Sequence, residues 1–180
     1  MNERKLAVIL HADVVGSTHL VIQDETLAHE RIRDVFRRLS ECIESHGGVT
    51  RELRGDALVA EFAKASDAIG AALTFQKDSS AHNQGLSDPI RPELRIGIAM
   101  GEVLIADETI TGEGVVLAQR LEQLADPYGI CVQSAVHDTV PKRLPFRFKD
   151  LGELELKGIT GPVRVYRVSD SLASDGSVPD

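Results

Sequence analysis

The chain has 180 residues, of which 42% are hydrophobic and 27% are charged, which predicts one globular domain that buries roughly 70% of its unfolded surface. A formal net charge of −8 argues against nucleic acid as a partner, because binding to a phosphate backbone needs an excess of Lys and Arg. Two cysteines make no disulfide framework and favour a reducing compartment. We find neither a signal peptide nor an apolar run long enough for a membrane span, so we expect a cytoplasmic protein without a membrane partner.

The first predicted strand ends close to a carboxylate. Its apolar run from Leu6 to Leu10 leads to Asp13, and Gly16-Ser17-Thr18 then break the pattern. From Asp24 to Ser45, apolar residues recur towards one face and charged residues fill most of the other, which predicts an amphipathic helix. Gly47-Gly48 are expected to end it.

A second carboxylate lies at the tip of a predicted hairpin. Two strand patterns between Val49 and Phe62 flank a tight turn at Arg54-Gly55-Asp56. Asp13 and Asp56 would then stand at neighbouring strand ends, beside the start of a helix. This arrangement suits the joint binding of divalent metal and phosphate.

The middle of the chain alternates helix, loop and strand patterns. A helix is predicted from about Ala65 to Asp78, followed by a polar segment from Ser79 to Pro92 that we expect to be a mobile surface connection. The strand from Glu93 to Met100 is expected to turn at Gly101-Glu102 into a second arm from Val103 to Ala106.

The last third predicts two helices, a short strand and a closing hairpin. A helix from Val115 to Leu124 precedes a buried strand from Ile130 to Val132 and a short helix from Ser134 to Val140. The hairpin runs from Phe146 to Val168. Residues 169–180 are polar and aperiodic, so we expect a domain over 1–168 and a polar tail or linker after it.

The order of these elements predicts an α+β fold. Antiparallel strand pairs alternate with helices that can cover a face of the sheet, most simply as a ferredoxin-like antiparallel sheet with helices on one face.

Five short motifs occur in order along the chain: His11 to Thr18, Gly55 to Phe62, Gly101-Glu102, Gly112 to Arg120, and Leu156-Lys157-Gly158 ahead of Pro162 to Tyr166. Together they resemble the catalytic domain of class III adenylate/guanylate cyclases over about residues 5–168. Each motif alone is weak, but five in the same order are hard to produce by chance.

The resemblance implies a class III cyclase fold and a head-to-tail homodimer whose two active sites lie at the interface. The implied reaction is attack of the ribose 3′-hydroxyl on the α-phosphorus of ATP or GTP, with release of pyrophosphate. Two Mg²⁺ or Mn²⁺ ions per site would activate the hydroxyl and neutralise the leaving phosphates.

The resemblance assigns metal binding to Asp13 and Asp56, with the backbone carbonyl of Val14 as a further ligand. Val15, Gly16, Ser17 and Thr18 would cradle the triphosphate through their N–H groups. The alternatives are ordinary: a helix cap or turn for Asp13, a hairpin Asp for Asp56, and a plain strand-to-helix turn for the others.

Two basic residues match catalytic positions of the family. Arg120 matches the arginine that stabilises charge on the α-phosphate in the transition state, and Lys157 resembles the lysine that contacts the terminal phosphates. The alternatives are a solvated helix residue and a surface loop lysine.

Three positions bear on the substrate. Glu52 stands where adenylate cyclases carry a lysine and guanylate cyclases a glutamate; the carboxylate suits the N–H donors of guanine, or else pairs with Arg54 two residues on. Thr109 matches the second base-reading position, or is a loop threonine. Val116 replaces the asparagine that orients the ribose, and valine cannot make that hydrogen bond.

Three functions compete at this stage. The first is a cyclase acting on ATP or GTP. The second is a degenerate cyclase-like module that binds nucleotide or dimerises for regulation without efficient catalysis, which Val116 and Glu52 motivate. The third is a diguanylate-cyclase-like enzyme, against which the missing Gly-Gly-Asp/Glu-Glu-Phe turn counts.

Overall fold

The computed structural model describes residues 2–170, which form one mixed sheet with helices packed against it. The strands are β1 (Asn2–Val14), β2 (Val49–Arg54), β3 (Ala57–Phe62), β4 (Leu94–Ala106), β5 (Thr109–Thr111), β6 (Ile130–Gln133), β7 (Phe146–Glu155) and β8 (Pro162–Asp170). The helices are α1 (Ser17–Gln23), α2 (Glu25–Ser45), α3 (Ala65–Gln84), α4 (Glu113–Leu124) and α5 (Ser134–Thr139).

The two longest strands, β1 and β4, lie side by side in the middle of the sheet. The strand order is β2-β3-β1-β4-β6-β8-β7, with β5 added to the end of β4. All pairs are antiparallel except the parallel pair β4 and β6. The register of β1 with β4 runs without a break from Asn2 opposite Ala106 to Val14 opposite Leu94.

The predicted α+β class with an antiparallel-rich sheet is confirmed, but the helices are divided between the two faces. Alternate residues of β1 point to opposite sides: Val8 and Leu10 join the core beneath α2 and α3, whereas Ala7 and Ile9 join the core beneath α4. We expected helices on one face, and α4 is the exception. Its position on the other face brings Arg120 to the turn between β7 and β8, where it donates to the Lys157 carbonyl.

The predicted turn at Gly101-Glu102 is wrong, because both residues lie inside β4. They pair with Ala7 and Leu6 of β1, so the ladder overrides the local turn signal. Gly101 serves a different purpose: a Cβ there would lie 2.8 Å from the Cα of Gly114. The glycine allows α4 to approach the sheet closely.

The third helix is longer than predicted and continues to Gln84. Its last turns carry polar residues that suggest a loop, yet Ser79 and Asn83 are buried. The Asn83 amide nitrogen donates to the carbonyl of Pro92 and to the Tyr128 hydroxyl, both at 2.9 Å. These tertiary hydrogen bonds stabilise the extra helical turns.

The remaining connection before β4, which we expected to be mobile, is tied to α2. Arg31 donates to both carboxylate oxygens of Asp88, at 3.0 and 2.8 Å, and to the carbonyl of Ile90 at 2.6 Å. A bidentate guanidinium contact of this kind restricts the loop.

The other predicted elements agree with the structure to within a few residues. Helix α4 begins at Glu113 rather than Val115, and β8 runs to Asp170, two residues past the predicted end of the domain. The rest of the predicted tail, 171–180, lies outside the described residues.

Over the described part of the chain, none of the helices combines the length and apolar character that a membrane crossing needs.

Gly97 supplies a test of how tightly α4 packs. A Cβ at this position would lie 2.2 Å from the Ala118 carbonyl oxygen and 2.3 Å from the Glu122 nitrogen, so we expect Gly97→Ala to lower the free energy of unfolding in urea by at least about 2 kcal/mol. The matched control is Gly85→Ala, where an added Cβ meets nothing closer than 3.5 Å and the change should stay below about 1 kcal/mol. Equal stability of the two variants would contradict this packing.

Candidate active site

The structure brings Asp13 and Asp56 together at one end of the sheet. Asp13 is the penultimate residue of β1 and lies opposite Ala57, the residue that follows Asp56. The N–H of Val14 donates to the Asp56 carbonyl at 3.1 Å. The hairpin tip that carries Asp56 is therefore held against the end of β1, so that Asp13 and Asp56 stand at neighbouring strand ends as expected.

Asp13 lies in surroundings that disfavour a lone negative charge. Its Oδ1 is buried and has no hydrogen-bond partner within the described residues. Burial, followed by the nearby carboxylates of Glu122 and Asp56, raises the pKa of Asp13 from 3.8 to about 6. A divalent cation would remove this penalty, so the residues present fit a metal ion.

Asp56 is oriented by the turn that follows β1. The Ser17 hydroxyl donates to Asp56 Oδ2 at 2.6 Å, which links the hairpin tip to the start of α1. Within the described residues, no three His, Cys, Asp or Glu side chains gather as a metal site. A cation at Asp13 and Asp56 would therefore take its further ligands from backbone, substrate or water.

The predicted phosphate cradle is smaller than expected. The N–H of Val15 already donates to the Glu93 carbonyl at 2.8 Å, so Val15 cannot offer it to a phosphate. Gly16 adopts a left-handed conformation with φ of 59°, and it directs the chain into α1. Gly16, Ser17 and Thr18 remain as candidate phosphate donors, since no backbone partner for their N–H groups is found within 2–170.

Glu52 makes the ion pair that was the alternative to base recognition. Its side chain is 8% exposed and receives a hydrogen bond from Arg54 Nε. Its other oxygen accepts from the N–H of Ile110 at 2.6 Å. Arg54 therefore holds the pKa of Glu52 below its ordinary value. The Ile110 contact also brings Thr109 beside Glu52, although the Thr109 hydroxyl is donated to the Ala106 carbonyl at 2.8 Å.

Arg120, Lys157 and Val116 form a second group on the side of the sheet covered by α4. Arg120 Nε donates to the Lys157 carbonyl at 2.8 Å, and its Nη1 donates to the Gln123 side chain at 3.2 Å. Val116 lies one helical turn before Arg120 and adjoins Gly158, where an added Cβ would be 3.8 Å from Val116 Cγ1. The Lys157 side chain is exposed.

The hydrogen bonds of Arg120 are made apart from the two aspartates. In the part of the chain that the structure describes, no hydrogen bond or ion pair joins Arg120 or Lys157 to Asp13 or Asp56. One chain thus presents a carboxylate group and a separate basic group.

We did not predict from the sequence a cluster of ionisable side chains next to Asp13. It consists of His11 and Glu122, which are buried, and Arg95, whose side chain is 27% exposed. A signal was available, because Glu122 falls four residues after buried Ala118 and next to buried Leu121 on α4. Helical spacing alone places it on the face that packs against the sheet.

The pKa of Asp13 predicts an unusual pH dependence. Because the folded pKa of about 6 lies above the unfolded value of 3.8, ionisation of Asp13 costs stability as the pH rises from about 4 through 6. In EDTA at pH 7.5, Asp13→Asn should therefore raise the free energy of unfolding by about 2 kcal/mol, and the gain should vanish below about pH 4.

The matched control is Asp126→Asn, whose side chain is 72% exposed and forms an ion pair with Arg167 at 3.5 Å. It should change the free energy of unfolding by less than about 0.5 kcal/mol at either pH. If metal-free Asp13→Asn is less stable than the unmodified protein at pH 7.5, then ionised Asp13 does not destabilise the fold.

Comparison with known proteins places this geometry in a family. The model of the adenylate and guanylate cyclase catalytic domain matches residues 1–170. A putative adenylate cyclase 3 of Rhizobium meliloti is 33% identical over 164 residues, which cover 91% of this chain and 28% of that protein. The chain thus spans about a quarter of the length of this curated relative.

Solved structures show the same fold. The adenylate/guanylate cyclase/hydrolase from Silicibacter pomeroyi superposes with a TM-score of 0.84 and 33% identity, covering 94% of this chain and 99% of that one. The adenylyl cyclase CyaB from P. aeruginosa has a TM-score of 0.81 at 23% identity, covering 95% and 97%. The chain therefore belongs to the adenylate and guanylate cyclase catalytic domain family.

Proposed function

We propose that this domain is a nucleotide cyclase that converts ATP or GTP to the 3′,5′-cyclic nucleotide and pyrophosphate. The observation that carries the proposal is the pairing of Asp13, a partly buried carboxylate with an unsatisfied oxygen, with Asp56 at the adjoining hairpin tip. Both lie beside the turn from Gly16 to Thr18, whose N–H groups can donate hydrogen bonds to phosphate oxygens.

Divalent cations would supply the charge that the carboxylates require. Asp13 and Asp56 would hold two Mg²⁺ or Mn²⁺ ions, which would lower the pKa of the ribose 3′-hydroxyl and offset the negative charge of the phosphates. The 3′-oxygen forms a bond to the α-phosphorus while the bond to the bridging oxygen breaks, and pyrophosphate leaves. The proton of the hydroxyl passes to solvent.

The basic group would act across a dimer interface. Within residues 2–170, no hydrogen bond or ion pair joins Arg120 or Lys157 to Asp13 or Asp56, which supports a head-to-tail homodimer in which each site combines the aspartates of one chain with the basic group of its partner. Arg120 would stabilise charge on the α-phosphate, and Lys157 would bind the terminal phosphates.

Base selection is proposed to involve Glu52 and Thr109. Arg54 and the Ile110 N–H each donate to a different oxygen of Glu52. Because each carboxylate oxygen has a second lone pair, the ion pair would orient the carboxylate next to Thr109 and still leave it able to accept from a base. The proposal covers ATP and GTP alike. We place the reaction in the cytoplasm, where both nucleotides are found.

A second candidate, favoured by Val116, is a degenerate cyclase domain that binds nucleotide or dimerises to regulate a partner. Val116 lies one turn from Arg120 on α4, where its side chain offers no hydrogen bond to a ribose. Incubation with Mn²⁺ and either ATP or GTP, with pyrophosphate and cyclic nucleotide measured together, separates the two candidates. Bound nucleotide without product from either would favour the degenerate domain.

Complementation tests the shared site directly. We expect Asp13→Ala and Arg120→Ala each to reduce kcat by at least about 10²-fold. Co-expressed together, they form heterodimers in which one site has both defects and the other has neither, so the mixture should recover about one quarter of the unmodified activity.

The control is Arg37→Ala, which removes an exposed guanidinium that pairs with Asp34 and Glu41 on its own helix and should leave kcat unchanged. A co-expressed mixture that stays as inactive as each variant, although both variants dimerise, would refute the shared site.

The missing ribose contact predicts a gain of function. Val116→Asn restores a hydrogen-bonding side chain on α4, so kcat should rise by about tenfold. Val116→Ala is the matched control, because it removes bulk without adding a donor or acceptor. If Val116→Asn turns over no faster than Val116→Ala, loss of asparagine does not limit this domain.

A further inference from the structure

A buried carboxylate on α4 contacts two basic side chains on the central strands. Glu122 has no exposed surface. Its oxygens lie 3.0 Å from Arg95 Nη2 of β4 and 3.3 Å from His11 Nδ1 of β1. Neither oxygen accepts a well-directed hydrogen bond within the described residues, so charge complementarity is what compensates for its burial.

The position of Glu122 is set by backbone packing. Gly97 of β4 lies beneath α4 so closely that a Cβ there would be 2.3 Å from the Glu122 nitrogen. Arg95 also donates to the Gln123 carbonyl at 3.4 Å. The helix can therefore move little relative to the strands, and Glu122 stays beside Arg95.

Arg95 has another acidic neighbour, which it does not pair with. It lies directly opposite Asp13 in the register of β1 and β4, and residues opposite each other on antiparallel strands share a face with Cβ atoms about 4.5–5.5 Å apart. An ion pair between Arg95 and Asp13 is thus within reach. The structure instead directs Arg95 to Glu122, and among residues 2–170 Asp13 Oδ1 has no hydrogen-bond partner.

We propose that Glu122 is a positioning residue that withholds Arg95 from Asp13 and so keeps this carboxylate available to a cation. The inference rests on the proposed function, in which Asp13 is a metal ligand. Glu122 touches neither metal nor substrate in this account. It acts by giving Arg95 a stronger partner, since a guanidinium on Asp13 would compete with a divalent ion for the same oxygens.

A purely structural role for Glu122 makes a different prediction. If the ion pair only held α4 against the sheet, loss of Glu122 would weaken metal binding through misplacement, and a further loss of Arg95 would make the damage worse or leave it unchanged. If Glu122 withholds Arg95, removal of Arg95 from the same protein should restore metal binding.

The test is a double-mutant cycle with Mn²⁺ alone as the probe. Free Mn²⁺ is measured by electron paramagnetic resonance in the unmodified protein, Glu122→Gln, Arg95→Gln and the double variant. We expect Glu122→Gln to raise the Kd for Mn²⁺ about tenfold and the double variant to return it to within about twofold of the unmodified protein. Glu102→Gln, which removes an exposed carboxylate 3.5 Å from Arg4, is the control and should leave the Kd unchanged.

A crystal structure of Glu122→Gln provides a readout that needs neither metal nor activity. We expect the Arg95 guanidinium to lie within hydrogen-bond distance of an Asp13 oxygen. A guanidinium that stays beside the substituted side chain on α4, or a double variant that binds Mn²⁺ no better than Glu122→Gln, would overturn the inference. Failure of the unmodified protein to bind Mn²⁺ would instead count against the proposed function, and the crystal structure would still decide the role of Glu122.

Discussion

The pairing of β1 with both of its neighbours is the constraint on which the site depends. Its pairing with β3 places Asp13 opposite Ala57, which follows Asp56, and its pairing with β4 places Asp13 opposite Arg95. A register shift of a single residue would turn Asp13 to the other face of the sheet. Because the register with β4 is continuous over the full length of both strands, the carboxylate is held by many hydrogen bonds that lie far from it.

The close approach of α4 is the second constraint. Gly97, Gly101 and Gly114 remove the side chains that would separate this helix from the sheet. The result is a helix whose inner face carries Glu122 towards Asp13, while Arg120 bonds to the Lys157 carbonyl. The same helix therefore influences the carboxylate group of its own chain and presents the basic group proposed to serve the partner chain.

Much of this arrangement could be predicted from the sequence where local patterns and tertiary contacts agree. Helix α2 follows its apolar spacing, and the hairpin from β2 to β3 follows its turn residues. The patterns failed where a distant contact decided the outcome. Gly101 signals a turn, but pairing with β1 keeps it in a strand; Ser79 and Asn83 signal a loop, but buried hydrogen bonds keep them in α3.

The site residues likewise divide into those that a local pattern predicts and those whose contacts depend on distant parts of the chain. The carboxylates could be predicted because each lies at the end of a recognisable strand or turn. The partner of Arg95 could not be predicted from the sequence. Both Asp13 and Glu122 are acidic, and only the position of α4 decides which of them Arg95 contacts. Likewise, the N–H of Val15 is lost to Glu93 across a gap of many residues, which no local motif reveals.

We propose that Asp13 and Asp56 together hold a divalent cation. This binding is tested most directly by anomalous diffraction from crystals grown with Mn²⁺ and a nucleoside triphosphate that lacks the 3′-hydroxyl. The account predicts a Mn²⁺ peak within coordination distance of a carboxylate oxygen from each aspartate. A peak bound by phosphates alone, with neither carboxylate as a ligand, would contradict it.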